Sequence, residues 1–92
     1  MKTLNGTEKQ IAYANSLINE FLEPKRTRNE LLESRGLENL KEAHQKRHAE
    51  NAAWIEAVEN MKIEDAGRVI NLFQNLNGGG CDLASFIEIT QK

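Results

Sequence analysis

Between Leu37 and Met61 the chain runs for twenty-five residues without a glycine or a proline. Leu37, Leu40, His44, Arg47, Asn51, Trp54, Val58 and Met61 recur there at alternating steps of three and four. That spacing lays side chains along one stripe of an α-helix. A helix over residues 37–61 would be about 37 Å long. The stripe is apolar at both ends and polar in the middle, at His44, Arg47 and Asn51. A polar middle does not belong in a deep core, so this part is expected to project, bend or meet a partner. Ala49, Ala52, Ala53 and Ala57 are small enough to let another helix come close.

The segment before it carries its own start signal. Thr7 and Gln10 stand at capping-box spacing, in which the hydroxyl takes the N–H of the third helical residue and the amide reaches back to the cap. An apolar stripe follows at Ile11, Ala14, Ile18 and Phe21, widened by Leu17 and Leu22. This predicts a helix over 7–23, preceded by a frayed arm over residues 1–6. Pro24 is expected to end the helix, because the residue before a proline is pushed out of the helical region. A second box, Thr27-Arg28-Asn29-Glu30, predicts a new helix over 27–35 carrying Leu31 and Leu32. Gly36 reads equally as a break or as a soft point within a longer helix.

Further on, Ile63-Glu64-Asp65 opens a predicted helix over 63–76, with acids facing the positive end of its dipole and Val69, Ile70, Leu72, Phe73 and Leu76 as its apolar face. Asn77 and Gly78–Gly80 end it. Asp82 is placed to cap a last helix over 82–90 with Leu83, Phe86, Ile87 and Thr90 on one side, although 86–90 is also strand-prone. The expectation is a single all-α domain over 1–92: a small bundle of four to five helices with a long central helix or a helical hairpin. The first helix is expected to pack Ile11, Ile18 and Phe21 on Trp54/Val58 and Val69/Phe73.

Charge is unevenly spread along the chain. Residues 25–48 hold seven basic and four acidic side chains, whereas residues 49–92 hold three basic and seven acidic ones. Such polarity attracts an anionic partner to the middle segment or drives one copy onto another. The single cysteine, Cys81, excludes an internal disulfide and fits a reducing compartment. No apolar run is long enough to span a membrane, and the first residues lack the apolar stretch of a signal peptide. The expected location is cytoplasmic.

Few residues suggest chemistry. His44 and His48 are four apart, a metal-ligand spacing, but Gln45 stands where a zincin motif needs glutamate, and two solvated histidines are the plainer reading. Gly78–Gly80 lacks the lysine of a phosphate loop, and Cys81 has no base beside it in sequence. No catalytic residue, cofactor site or metal site is assigned, and neither a membrane nor a small-molecule substrate is expected. The Lys25–Arg28 cluster and Lys46-Arg47 are placed to grip phosphates without regard to base sequence, and Arg26, Arg28, Lys41, Lys46 and Arg47 are the candidate nucleic-acid contacts, although no aromatics interleave with them for base stacking. Leu37, Leu40, His44, Arg47 and Trp54 are the candidate interface residues, with Trp54 read first as core and second as an interface anchor.

The stretch Gly6-Thr7-Glu8-Lys9-Gln10-Ile11-Ala12-Tyr13-Ala14-Asn15 resembles the opener of a family of small proteins from phage and mobile-element reading frames of bacteria. Ala52-Ala53-Trp54-Ile55 is similar to a later Ala-x-Trp-Ile segment of that family. There an acidic residue and an arginine follow the Trp-Ile pair; here Glu56 follows, and no arginine does. The resemblance implies a small accessory protein of unassigned activity and supplies no catalytic residues. Together these observations predict a non-enzymatic protein–protein interaction module that self-associates, with a nucleic-acid accessory protein using residues 25–48 as the alternative. The argument for self-association is the seam of residues 37–61, which one small core is not expected to cover along its whole length.

Overall fold

The computed structural model describes residues 3–91. It contains α1 (Glu8–Ser34), a single 3₁₀ turn (Leu37–Asn39), α2 (Glu42–Glu59), α3 (Ala66–Asn77) and α4 (Leu83–Thr90). The described residues form an all-α bundle with no strand. Its dimensions are 46 × 23 × 22 Å, and α1, at 27 residues, runs about 40 Å of that length.

The capping box at Thr7 forms as its spacing predicts. The Gln10 N–H donates to Thr7 Oγ1 at 3.1 Å, and the Thr7 N–H donates to Gln10 Oε1 at 3.1 Å. Pro24 does not end the helix. The predicted helices 7–23 and 27–35 are one, with Pro24 on its exposed side and Thr27 inside it. A proline within a helix removes one intrahelical hydrogen bond and crowds the preceding turn. The continuing helix is held by packing of its far half on α2, where Asn29 and Leu32 are buried.

Gly36 is a true break. Its φ of +80° lies where residues with a Cβ are disfavoured, and the predicted helix over 37–61 starts five residues late, at Glu42. The intervening turn is held by Gln45, whose Nε2 donates to the carbonyls of Leu37 and Leu40 at 3.0 and 3.1 Å. The third predicted helix also starts late. Ile63 is buried in the loop before it, and Asp65 is the cap of α3, accepting the Gly67 N–H at 2.9 Å. Residues 82–90 form a helix and not a strand, capped by Asp82 through the Ser85 N–H at 2.8 Å. The predicted frayed arm is tied down in its described part. Leu4 is buried, the Asn5 N–H donates to the Glu64 carbonyl at 2.6 Å, and the Ala66 N–H donates to the Asn5 carbonyl at 2.9 Å. Met1 and Lys2 of that arm lie outside the described residues.

The hydrophobic core occupies only one end of the rod. It joins Leu4, the α1 residues from Ala14 to Leu22, Ala57 and Val58 of α2, Met61 and Ile63 of the following loop, the inner face of α3, and Phe86. At its centre four rings close a circuit: Phe21 to Trp54 (5.3 Å), Trp54 to Phe86 (5.4 Å), Phe86 to Phe73 (6.0 Å) and Phe73 to Phe21 (5.6 Å). Three of the four contacts are edge-on, the geometry ring quadrupoles favour. The end of α4 is fastened to the loop after α2 by the Lys62 N–H on the Thr90 carbonyl (2.8 Å) and to α2 itself by Gln91 Nε2 on the Ala57 carbonyl (3.1 Å). We call this end the head. The rest of α1 and the start of α2 extend beyond it as an antiparallel two-helix arm.

Candidate functional site

The arm is stitched by polar groups. Asn29 and Asn51, both buried, face each other across the two helices. Asn51 Nδ2 donates to Asn29 Oδ1 at 3.2 Å, and Asn29 Nδ2 donates to the His48 carbonyl at 3.2 Å. His48 Nε2 lies 2.9 Å from Glu33 Oε1. Arg26 reaches Glu59 at 3.5 Å. Leu32 is the one arm residue counted in the buried apolar set, and it lies outside the continuous core. Of the polar middle of the 37–61 stripe, α1 therefore covers Asn51, while His44 is half-buried and Arg47 is exposed. That covering exists because α1 runs through Pro24.

On one side of this seam the two helices leave a groove of about 580 Å³. Lys25 and Arg28 enter it from α1, and His44 and Arg47 enter it from α2, each pair one helical turn apart. Asn51 forms its inner wall, and no carboxylate lines it. Lys25 Nζ stands 3.9 Å from the centre of the Phe21 ring, a cation–π contact that fixes the ammonium at the boundary between arm and head. Burial lowers the Lys25 pKa, and the positive charge of Arg47 lowers it further. Among the described residues, neither Lys25, Arg28 nor Arg47 has an ion-pair partner. A larger hollow of about 650 Å³ runs along α1 from Ala12 to Pro24, but a single helix is its only wall, so it encloses nothing.

The residues singled out in the sequence scatter over several surfaces. Of the nucleic-acid candidates, only Arg28 and Arg47 share the groove. Arg26 turns to the opposite face and pairs with Glu59, while Lys41 and Lys46 are exposed outside the groove lining. Of the interface candidates, Leu37 is 42% exposed in the 3₁₀ turn, Leu40 is half-buried, and His44 and Arg47 line the groove. Trp54 packs on the core with Phe21 and Phe86. Lys25 stands in the basic cluster read as able to grip phosphates, but not among the single candidate contacts. Its place in the groove follows only once the helix continues past Pro24, which sets Lys25 four residues after Phe21 on the same face.

The remaining chemical signals resolve simply. His44 faces the groove and His48 pairs with Glu33, so the two do not converge. Among the described residues no group of three His, Cys, Asp or Glu side chains is placed to hold a metal ion. The N–H groups of Gly78, Gly79 and Gly80 are spent on the carbonyls of Gln74, Leu76 and Asn75, which makes the glycine run the end of α3. The Cys81 thiol donates to the Asp82 carbonyl at 3.4 Å. Its pKa is raised by burial and then by the negative charge of Asp82, the reverse of an activated thiolate. No helix among the described residues is long and apolar enough to cross a membrane. No protein-family model, curated protein or solved structure matches this chain.

Proposed function

We propose that this protein is a non-catalytic interaction module that self-associates through its arm. The observation that carries the reading is the separation of charge along the rod. Residues 25–48, which make up most of the arm, carry the basic excess, and the segments that build the head carry an acidic one. Two rods lying antiparallel bring each basic arm against the other's acidic head. Such a pairing uses the same surfaces twice and closes on itself. α1 buries Asn51 at the middle of the 37–61 stripe, so the pairing rests on charge and not on an uncovered apolar seam. The resemblance of residues 6–15 to phage and mobile-element openers supports an accessory role of that origin, and the free thiol of Cys81 supports work in the reducing cytoplasm.

Size-exclusion chromatography with light scattering tests the proposal. A dimer is expected at high micromolar protein and low ionic strength, dissociating at about 1 M salt, where screening acts within about 3 Å. A clean monomer at low ionic strength overturns it. A second reading, a nucleic-acid accessory protein, draws support from Arg28 and Arg47 sharing one groove. Fluorescence anisotropy with single- and double-stranded oligonucleotides tests it, and absence of binding at low salt removes it.

A further inference from the structure

We infer that the groove between Lys25/Arg28 and His44/Arg47 is a binding site for a phosphate group of a multiply charged phosphate ligand. The inference narrows the nucleic-acid reading, and its cations belong to the basic arm proposed above for self-association.

Three positively charged side chains and an imidazole line a single groove that no carboxylate enters. The chain holds fourteen acidic residues, and glutamates partner other arm and head groups: Glu33 pairs with His48, and Glu59 pairs with Arg26. The groove cations are left out of this pairing, and like charges brought together from two helices repel one another. An anion between them relieves that repulsion, and it recovers charge-assisted hydrogen bonds from both guanidinium groups. Part of the site is set before any ligand arrives. Lys25 is fixed over the Phe21 ring, and the Asn29–Asn51 bond locks the register of the two helices that carry them.

A phosphate suits this donor set better than a peptide carboxylate. Guanidinium forks match the geometry of both, but a diphosphate-type anion carries charge enough to meet three cations at once, whereas one carboxylate meets one. The groove presents no Phe, Tyr or Trp side chain for base stacking, so recognition rests chiefly on the phosphate. The same chemistry is offered by free pyrophosphate and by adjacent phosphates of a nucleic-acid strand.

The test is a titration of the full chain with inorganic pyrophosphate at low ionic strength, followed by two-dimensional ¹H–¹⁵N NMR. The protein concentration is one at which light scattering gives a single species. Saturable shifts centred on Lys25, Arg28, His44 and Arg47 are expected. Arg28→Gln and Arg47→Gln should each weaken binding about tenfold, the size of one charge-assisted hydrogen bond. Arg26→Gln, on the opposite face, should leave binding within about twofold by the same measure. Circular dichroism verifies that each variant keeps its helix content. Competition by an oligonucleotide identifies strand phosphates as a source of the ligand. Pyrophosphate binding without oligonucleotide binding upholds the site and removes the nucleic-acid reading. No saturable shift at millimolar pyrophosphate, equal losses from Arg26→Gln and Arg47→Gln, or binding of an oligoglutamate peptide in preference to pyrophosphate overturns the proposal.

Discussion

The same two helices meet in the head and in the arm, yet what passes between them differs. In the head, Phe21 of α1 and Trp54 of α2 touch edge to face within a circuit of four rings. About one turn further along α2, the contact with α1 is a pair of asparagine amides. Ring packing brings large buried area and about 0.5–1.5 kcal/mol for each well-oriented pair beyond that area. A buried amide pair adds little net stability, but it is satisfied in only one alignment, so it fixes which residues of α1 face which residues of α2. The head thus supplies the free energy of folding, and the arm supplies the alignment that gathers Lys25, Arg28, His44 and Arg47.

This division is open to direct attack. The largest effect is expected from Phe73→Ala, which opens the fully buried centre of the ring circuit and should destabilise the whole molecule by about 3–5 kcal/mol. Urea unfolding followed by Trp54 fluorescence measures it, and head and arm should be lost together. Pro24→Ala comes next. It restores the missing helical hydrogen bond where arm joins head and should stabilise by about 2 kcal/mol, the helix-interior cost of proline less the entropy proline removes from the unfolded chain. If Pro24→Ala instead destabilises, the continuous α1 is not the native state of this chain. Asn51→Ala should cost about 1 kcal/mol, and hydrogen exchange should show the loss in arm amides before head amides. Loss spread evenly over both ends would erase the distinction drawn here.

The smallest effect is a pH dependence confined to the head. Hydrogen bonds from Ser85, its N–H first and its hydroxyl next, hold the Asp82 carboxyl below its ordinary value near 3.8. A carboxyl with a lowered folded value contributes stability above the unfolded value, and that contribution disappears as pH falls through the folded one. Fraying of α4 below about pH 4 is therefore expected, and Asp82→Asn should abolish this pH dependence, as seen in the NMR shifts of Ser85 and Phe86.

Much of the head was legible in the chain because its signals are local or strictly periodic. Thr7 and Gln10 declare the start of α1, Asp82 declares α4, and Ile18, Phe21, Val58, Val69 and Phe73 fall at helical spacing and meet in one core. The arm was misread at Pro24 and Thr27, where local rules point to a break. Packing of Asn29 and Leu32 against α2 outweighs the single hydrogen bond that Pro24 removes, and that packing involves residues some twenty positions away in sequence. The groove inherits the same difficulty. Its charges were visible, but their pairing depends on a helix continuing where its own sequence argues for a stop. The anchoring of Asn5 on Glu64 and Ala66 is likewise invisible to any local rule, since the two segments are about sixty residues apart.

The turn at Gly36 closes the arm at the end of the rod opposite the ring circuit, and none of residues 35–41 belongs to the continuous core. Exposed, polar connections of this kind are where chains accept new sequence. A reporter domain spliced between Gly36 and Lys41 should be tolerated, and a protease cut there should leave two fragments still held together by Phe21, Trp54, Phe73 and Phe86. The two sides of that cut should then behave as complementary halves, recombining through the ring circuit alone.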